Sequence, residues 1–255
     1  MKVAAVQHDI DWEQPEKTRA RVEPLIADAA ARGARLIALT EMYATGFSMH
    51  PERIAEDEGG PNEQFLLEQA ARHDACVLAS IAQRGADGNY RNNAVLARPD
   101  GSVERYAKIH PFSFAHEHEH YTPGGSLLTT TVDDLRVSVF VCYDLRFADD
   151  FWSLAPDTDL YVVVANWPSP RHAHWRALLV GRAIENQAYV LGVNRVGSVK
   201  DLPHSGGSML LDPMGEVVFE GDDIEAALVG EATPERVAEV RTRFPFLADR
   251  GPMRR

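Results

Sequence analysis

Cysteine is almost absent from this chain of 255 residues: Cys76 and Cys142 are the only two, so no disulfide framework is expected and both thiols should be reduced in an intracellular compartment. No apolar run approaches the roughly 20 residues that a membrane helix needs, and no basic-then-apolar leader opens the sequence, so a soluble, cytoplasmic protein with no membrane partner is expected. Positive charge is also scarce, with 26 Lys and Arg against 38 Asp and Glu and a net charge of -12. That balance argues against nucleic acid, whose phosphates require clustered cations. Low-complexity tracts are missing too, and the 45% of apolar residues are enough for a sizeable core.

What is present is an alternation of β-branched runs and helical spacings. KVAAVQHDI, LIALTEM, ACVLASIAQ, LRVSVFVCYD, DLYVVVANWP and YVLGVNRVG read as strands. Glu16 to Ala31, Phe65 to Ala71, Phe151 to Leu154 and about His172 to Tyr189 read as helices. Asp87-Gly88, Asp100-Gly101 and Asp212-Pro213-Met214-Gly215 mark hairpin turns, and a last strand lies near Ala226 to Gly230. Fully apolar strands interleaved with helices imply sheets covered by helices, an α/β class, and both halves share a strand-helix-strand rhythm.

Four β runs end in a polar or reactive group: Glu41, Lys108, Cys142 and Asn166. Ligand crevices of open α/β sheets lie beyond the carboxyl ends of strands, so these four side chains are expected to converge. Taken singly each has a plain alternative. Cys142 among valines reads as a small core hydrophobe, as Cys76 does; Glu41 could cap a turn, and Lys108 could reach solvent. Taken together they supply a thiol nucleophile, a base for its proton and a donor for the oxyanion.

The same residues carry a resemblance. With Glu41 in LTEMYATGF, Lys108 in YAKIH, Cys142 in VCYDLRF, and VANWP and RAIENQAY beyond them, the chain is identified as a member of the nitrilase superfamily of carbon-nitrogen hydrolases. VANWPSPRHAHWRALLVGRAIENQAYVLGVNRVG is most similar to its omega-amidase branch, which hydrolyses ω-monoamides of dicarboxylic and 2-oxo-dicarboxylic acids. The resemblance implies a four-layer αββα sandwich over residues 1–255, a homodimer, and a Glu-Lys-Cys set at Glu41, Lys108 and Cys142, with no cofactor and no metal. The backbone N–H of Tyr143 would join Lys108 at the oxyanion. The terminal segment, about 241–255, reads as an arm across a partner or as coil packed on its own domain. Two departures from the family pattern stand out, Thr40 and Ala148 where proline is usual. Nitrile hydrolysis and carbamoyl cleavage share the same thioester logic and stay open.

FAHEHEHY, residues 114–121, offers a different class of reading, a metal-dependent hydrolase. If extended, it sets adjacent same-face histidines roughly 7 Å apart but His116 and His120 roughly 13 Å apart, too far to share one zinc. A helix is not expected before Pro123 and two glycines. The resemblance instead gives this loop a second glutamate, Glu117, with Glu119 as the alternative, placed to hold Lys108 charged. A substrate carboxylate calls for an arginine, for which Arg171 comes first and Arg146 second; a surface ion pair is the plain alternative for each. Arg182 and Glu185, three apart, are expected to pair along their helix. A silent relative that only binds a metabolite or a protein is the remaining alternative.

Overall fold

The computed structural model describes residues 1–250. Fifteen strands and seven helices follow in chain order. The first half supplies β1 (Lys2–Gln7), α1 (Pro15–Ala31), β2 (Ala34–Ala38), α2 (Pro51–Ile54), β3 (Glu56–Asp57), α3 (Pro61–His73), β4 (Cys76–Arg84), β5 (Tyr90–Ala97) and β6 (Val103–Ala107). After α4 (Glu117–His120) come β7 (Thr129–Val132), β8 (Leu135–Val141), α5 (Ala148–Leu154), β9 (Leu160–Ala165), α6 (His172–Asn186) and β10 (Tyr189–Asn194). The chain ends with β11 (Val196–Val199), β12 (Leu202–Ser205), β13 (Met209–Leu211), β14 (Val217–Glu220), β15 (Ala226–Glu231) and α7 (Pro234–Arg243).

Two mixed sheets result, ordered β15-β1-β2-β4-β5-β6 and β14-β13-β10-β9-β8-β7. Period-two alternation builds the layers. Val3, Ala5, Leu36, Ala38, Leu78 and Leu96 face the second sheet, whereas Ala4, Val6, Ile37, Val77, Val95 and Ala97 face Val22 and Ile26 of α1 and Leu66 of α3. The second sheet buries its strands against Trp175, Leu179 and Ala183, spaced by four along α6. The expected four-layer αββα sandwich is therefore present. Close approach of α6 explains Gly192: a Cβ there would lie 2.4 Å from Leu179 and 2.8 Å from Trp175.

Local signals account for most boundaries. α1 starts with Pro15 in its first turn, which needs no N–H, and ends before Gly33 at φ +88. α6 ends at Asn186 because Gln187 turns left-handed at φ 48, three residues before the expected end at Tyr189, which opens β10. LIALTEM leaves the sheet after Ala38, earlier than its apolar run suggests, and the Leu39 N–H stays bonded to the Leu78 carbonyl at 2.7 Å.

Cys76 is buried in the core, as read. At the other end of the chain, residues 241–250 contact earlier elements: the Arg241 guanidinium donates to the Ala155 and Thr158 carbonyls at 2.9 and 2.7 Å, and Gln187 Nε2 donates to the Phe244 carbonyl at 2.7 Å. The final five residues of the expected arm fall outside the described residues. Among the described residues, no helix is long and apolar enough to cross a membrane.

Candidate active site

Strand direction explains why the four expected groups meet. β2 and β4 run parallel, and two antiparallel steps through β5 return β6 to their direction; β8 and β9 are parallel in the other sheet. The carboxyl ends therefore deliver Glu41 and Lys108 from one sheet, Cys142 and Asn166 from the other. Lys108 Nζ donates to Glu41 Oε1 at 2.9 Å and to Glu117 Oε2 at 2.8 Å. The Asn166 N–H donates to Glu41 Oε2 at 3.0 Å, and its Nδ2 to the Glu41 carbonyl at 2.7 Å. Glu41 and Glu117 are fully buried and Lys108 is 2% exposed, so each charge depends on the others for compensation.

The electrostatics follow from that arrangement. Burial pulls the Lys108 ammonium down, but the Glu117 and Glu41 carboxylates outweigh it and raise its pKa above the ordinary lysine value. Cys142 moves the other way for a nucleophile: burial first, then the Glu41 charge beside it, push its thiol well above the ordinary value, against the pull of Lys108. Burial and the Glu41 charge thus both favour the thiol form of Cys142. Cys142 itself stands at φ 47, a left-handed strain of roughly 1–2 kcal/mol that lifts its side chain out of the turn after β8.

Several supporting residues were not anticipated. Asn92 Nδ2 bridges Glu41 Oε1 and Glu117 Oε1 at 2.9 and 3.1 Å, and Ser80 Oγ donates to Asn92 Oδ1 at 2.8 Å. Two adjacent asparagines in the strand YRNNAVLA, just before its apolar end, were the available signal. Asp144 holds the cysteine turn: Oδ2 accepts from the Val141 N–H at 3.0 Å and from Tyr106 Oη at 2.8 Å, and Oδ1 from the His110 N–H at 2.9 Å. Its burial pushes the carboxyl up to about 6, against the pull of Lys108 and those donors. A carboxylate two residues after the candidate nucleophile was the overlooked clue. Arg182 pairs with Glu185 at 2.8 Å as expected, and also donates to the Leu145 carbonyl at 2.8 Å, which braces the same turn from α6.

The histidine-rich stretch departs from the expected extended or looped form. His116 turns left-handed at φ 61 and Glu117–His120 make one helical turn, in which the Phe112 N–H donates to Glu117 Oε2 at 2.5 Å. A single turn needs no helix propensity when its first residue is anchored by Lys108. Glu117, not Glu119, reaches the lysine. Glu119 is exposed and bonded to His116 Nδ1 at 2.8 Å. Among the described residues, no group of three or more His, Cys, Asp or Glu is placed to hold a metal ion.

Above Cys142 opens a cavity of about 290 Å³, small for a ligand site and largely aromatic, with Trp12, Phe47, Phe112 and Trp167 in its wall. Tyr143, Asn166, Arg146 and Arg171 also line it. Arg146 lies over the Trp167 ring at 4.8 Å and Arg171 over Phe112 at 5.4 Å, and among the described residues neither is paired with a carboxylate. The surface ion pair is thus replaced by cations stacked on aromatic walls.

The two departures from the family pattern find local answers. Ala148 simply opens α5, whose first turn carries Asp149 and Asp150. Thr40 Oγ1 meets His8 Nε2 at 3.0 Å behind Glu41. Burial lowers the His8 pKa from 6.5 to about 4. The native state therefore resists a proton that the unfolded chain accepts, so this contribution is constant above pH 6.5 and is lost progressively between 6.5 and 4. The loss attributable to His8 is on the order of 3 kcal/mol. Tm measured from pH 7 to 4.5 is expected to fall less steeply in His8→Gln than in wild type; equal slopes would remove His8 as the cause.

Comparison with known proteins shows the family. The family model for carbon-nitrogen hydrolases matches residues 2–242. Omega-amidase YafV of Yersinia enterocolitica is 37% identical over 252 residues, covering 98% of this chain and 96% of that protein. A 2-oxoglutaramate amidase of Bacillus subtilis is 29% identical, covering 97% and 96%. A crystal structure of a CN-hydrolase superfamily protein from Xanthomonas campestris, with an arsenic adduct in its active site, superimposes at TM-score 0.93 with 33% identity, covering 100% of this chain and 98% of that one. With the family model, the relatives' coverage and the superimposed fold matching nearly from end to end, the chain belongs to the carbon-nitrogen hydrolase family of the nitrilase superfamily and is similar to its omega-amidases.

Proposed function

We propose that the protein is a cofactor-free thiol amidase that hydrolyses ω-monoamides of dicarboxylic or 2-oxo-dicarboxylic acids to carboxylate and ammonia. Glu41 takes the Cys142 proton as sulfur attacks the amide carbon. The oxyanion sits between the Lys108 ammonium and the N–H of Tyr143, which lies in the first turn after Cys142 and has no acceptor within that turn. Protonated Glu41 then gives its proton to the departing nitrogen, so that ammonia leaves a thioester on Cys142. Water, deprotonated by Glu41, attacks the thioester, and the released sulfur regains the proton. Glu117 keeps Lys108 charged and aimed throughout.

The observation that carries the choice of substrate is the pair of uncompensated arginines in the cavity wall, Arg146 and Arg171. A small acid with an amide at one end places its carboxylate there and its carbonyl at Cys142. The names of the relatives from Yersinia enterocolitica and Bacillus subtilis support the same class. A homodimer belongs to this reading, supported by Ile184, Met214 and Val217, exposed apolar residues of α6 and the β13–β14 hairpin.

Ammonia release in chelator-treated buffer tests the proposal with succinamate, 2-oxosuccinamate, 2-oxoglutaramate and propionamide. Wild type is expected to turn over the three acids well and propionamide poorly. Arg171→Met is expected to raise KM for the acids by about tenfold to a hundredfold while leaving propionamide within about threefold. A preference for propionamide, or equal losses on all four, would overturn the carboxylate assignment.

A further inference from the structure

Lys108 has a neighbour that the chemistry above does not use. Its Nζ lies over the ring of Phe47, 5.1 Å from the centroid, a distance at which an aromatic face attracts a cation. Phe47 also lines the cavity: it is half-buried and packs against the cluster of Met42, Ile54, Ala82 and Tyr121.

The backbone holds that ring on both sides. Gly46, at φ +79, leaves room for the Trp12 ring, because a Cβ there would lie 2.8 Å from Trp12 Cε3. On the other side, the Ser48 carbonyl accepts from Tyr121 Oη at 2.7 Å, and the Tyr121 N–H donates to the Glu117 carbonyl at 2.8 Å. Glu41 and Phe47 share the loop between β2 and α2. The three groups around the ammonium, Glu41, Glu117 and Phe47, are therefore fixed relative to one another.

Counting donors shows what the ring adds. An ammonium has three N–H groups. Lys108 Nζ donates to Glu41 Oε1 at 2.9 Å and to Glu117 Oε2 and Oε1 at 2.8 and 3.1 Å, and among the described residues to nothing else. Two oxygens of one carboxylate stand too close together to occupy two tetrahedral directions, so Glu117 uses one N–H and the third is spare. A further carboxylate beside Nζ would accept that N–H strongly and keep it from a substrate. An aromatic face attracts the charge but accepts a hydrogen bond only weakly, so it yields the N–H to an oxyanion.

We propose that Phe47 is a positioning residue for amide cleavage: the face of its ring steadies the Lys108 ammonium while leaving one N–H for the oxyanion. This role rests on the oxyanion assignment of Lys108 given above.

The test replaces Phe47 by monofluoro-, difluoro- and pentafluorophenylalanine, which keep the shape of the ring while fluorine progressively removes its negative face. Phe47→Leu, which has no ring, is measured alongside. Ammonia release from succinamate in a single turnover, with enzyme in excess, reads the step in which the oxyanion forms. The rate constant should fall with each added fluorine, reaching about tenfold below wild type in the pentafluoro variant, and Phe47→Leu should lose about as much. The enzyme concentration giving half-maximal rate should stay within about threefold throughout. A flat fluorine series would overturn the proposal even with a slow Phe47→Leu, since packing alone would then explain that loss. A decline seen only in affinity would overturn it as well. A folded, inactive variant carrying Lys108→Met and Glu117→Gln beside a flat series would leave the oxyanion assignment standing without Phe47. An active Lys108→Met, or a wild type that releases no ammonia from succinamate, would overturn the reading above and the role of Phe47 with it.

Discussion

Cys142→Ala should release no ammonia from any amide that wild type hydrolyses, a loss of at least about 10⁴-fold. The size follows from covalent chemistry: without sulfur no thioester forms, and water would have to attack an unactivated amide directly. Stability should barely change. Cys142 is only partly buried, and alanine keeps the Cβ, so the left-handed turn at φ 47 is no more strained than before. Val141, Tyr106 and His110 still hold Asp144, so the turn keeps its ties. A Tm shift of no more than about 3 °C is expected. Residual activity in a strongly destabilised variant would assign Cys142 to packing rather than chemistry.

Lys108→Met should be costly on both counts. Removing the ammonium abolishes the charged oxyanion donor and leaves Glu41 and Glu117 facing one another, both fully buried. Breaking a buried pair on one side costs about 3–5 kcal/mol, or on the order of 10 °C in Tm for a chain of this size. Adding Glu117→Gln should restore much of the Tm while activity stays absent. Thermal melts and ammonia assays on the single and double variants separate the two effects; an active Lys108→Met, or a double variant no more stable than the single, would refute the charge assignment.

The sequence made the candidate reacting groups legible because each closes a β run, Glu41, Cys142 and Asn166 after mostly apolar ones and Lys108 after VERYA. Glu41, Lys108, Cys142 and Asn166 stand out for that reason, and parallel strand direction does the rest. Glu117 was legible only through the family resemblance, since one helical turn cannot be told from coil when a distant lysine, nine residues away, is what fixes it. The second ring of support was hidden for a related reason. Asn92, Ser80 and Asp144 act by accepting or relaying hydrogen bonds across elements, and no local spacing announces a partner 38 residues distant, as Tyr106 is for Asp144. Arg146 and Arg171 were named as carboxylate binders from chemistry, yet their stacking on Trp167 and Phe112 needed coordinates.

The central claim is a thioester on Cys142, and the most direct measurement is partitioning with hydroxylamine. Wild type is assayed on 2-oxosuccinamate and succinamate for ammonia, acid and hydroxamate together as hydroxylamine is raised. A thioester predicts hydroxamate rising at the expense of acid, with ammonia equal to their sum and no hydroxamate from Cys142→Ala. Ammonia and acid released one for one, with no hydroxamate at any hydroxylamine concentration, would mean direct attack by water and would contradict the covalent route.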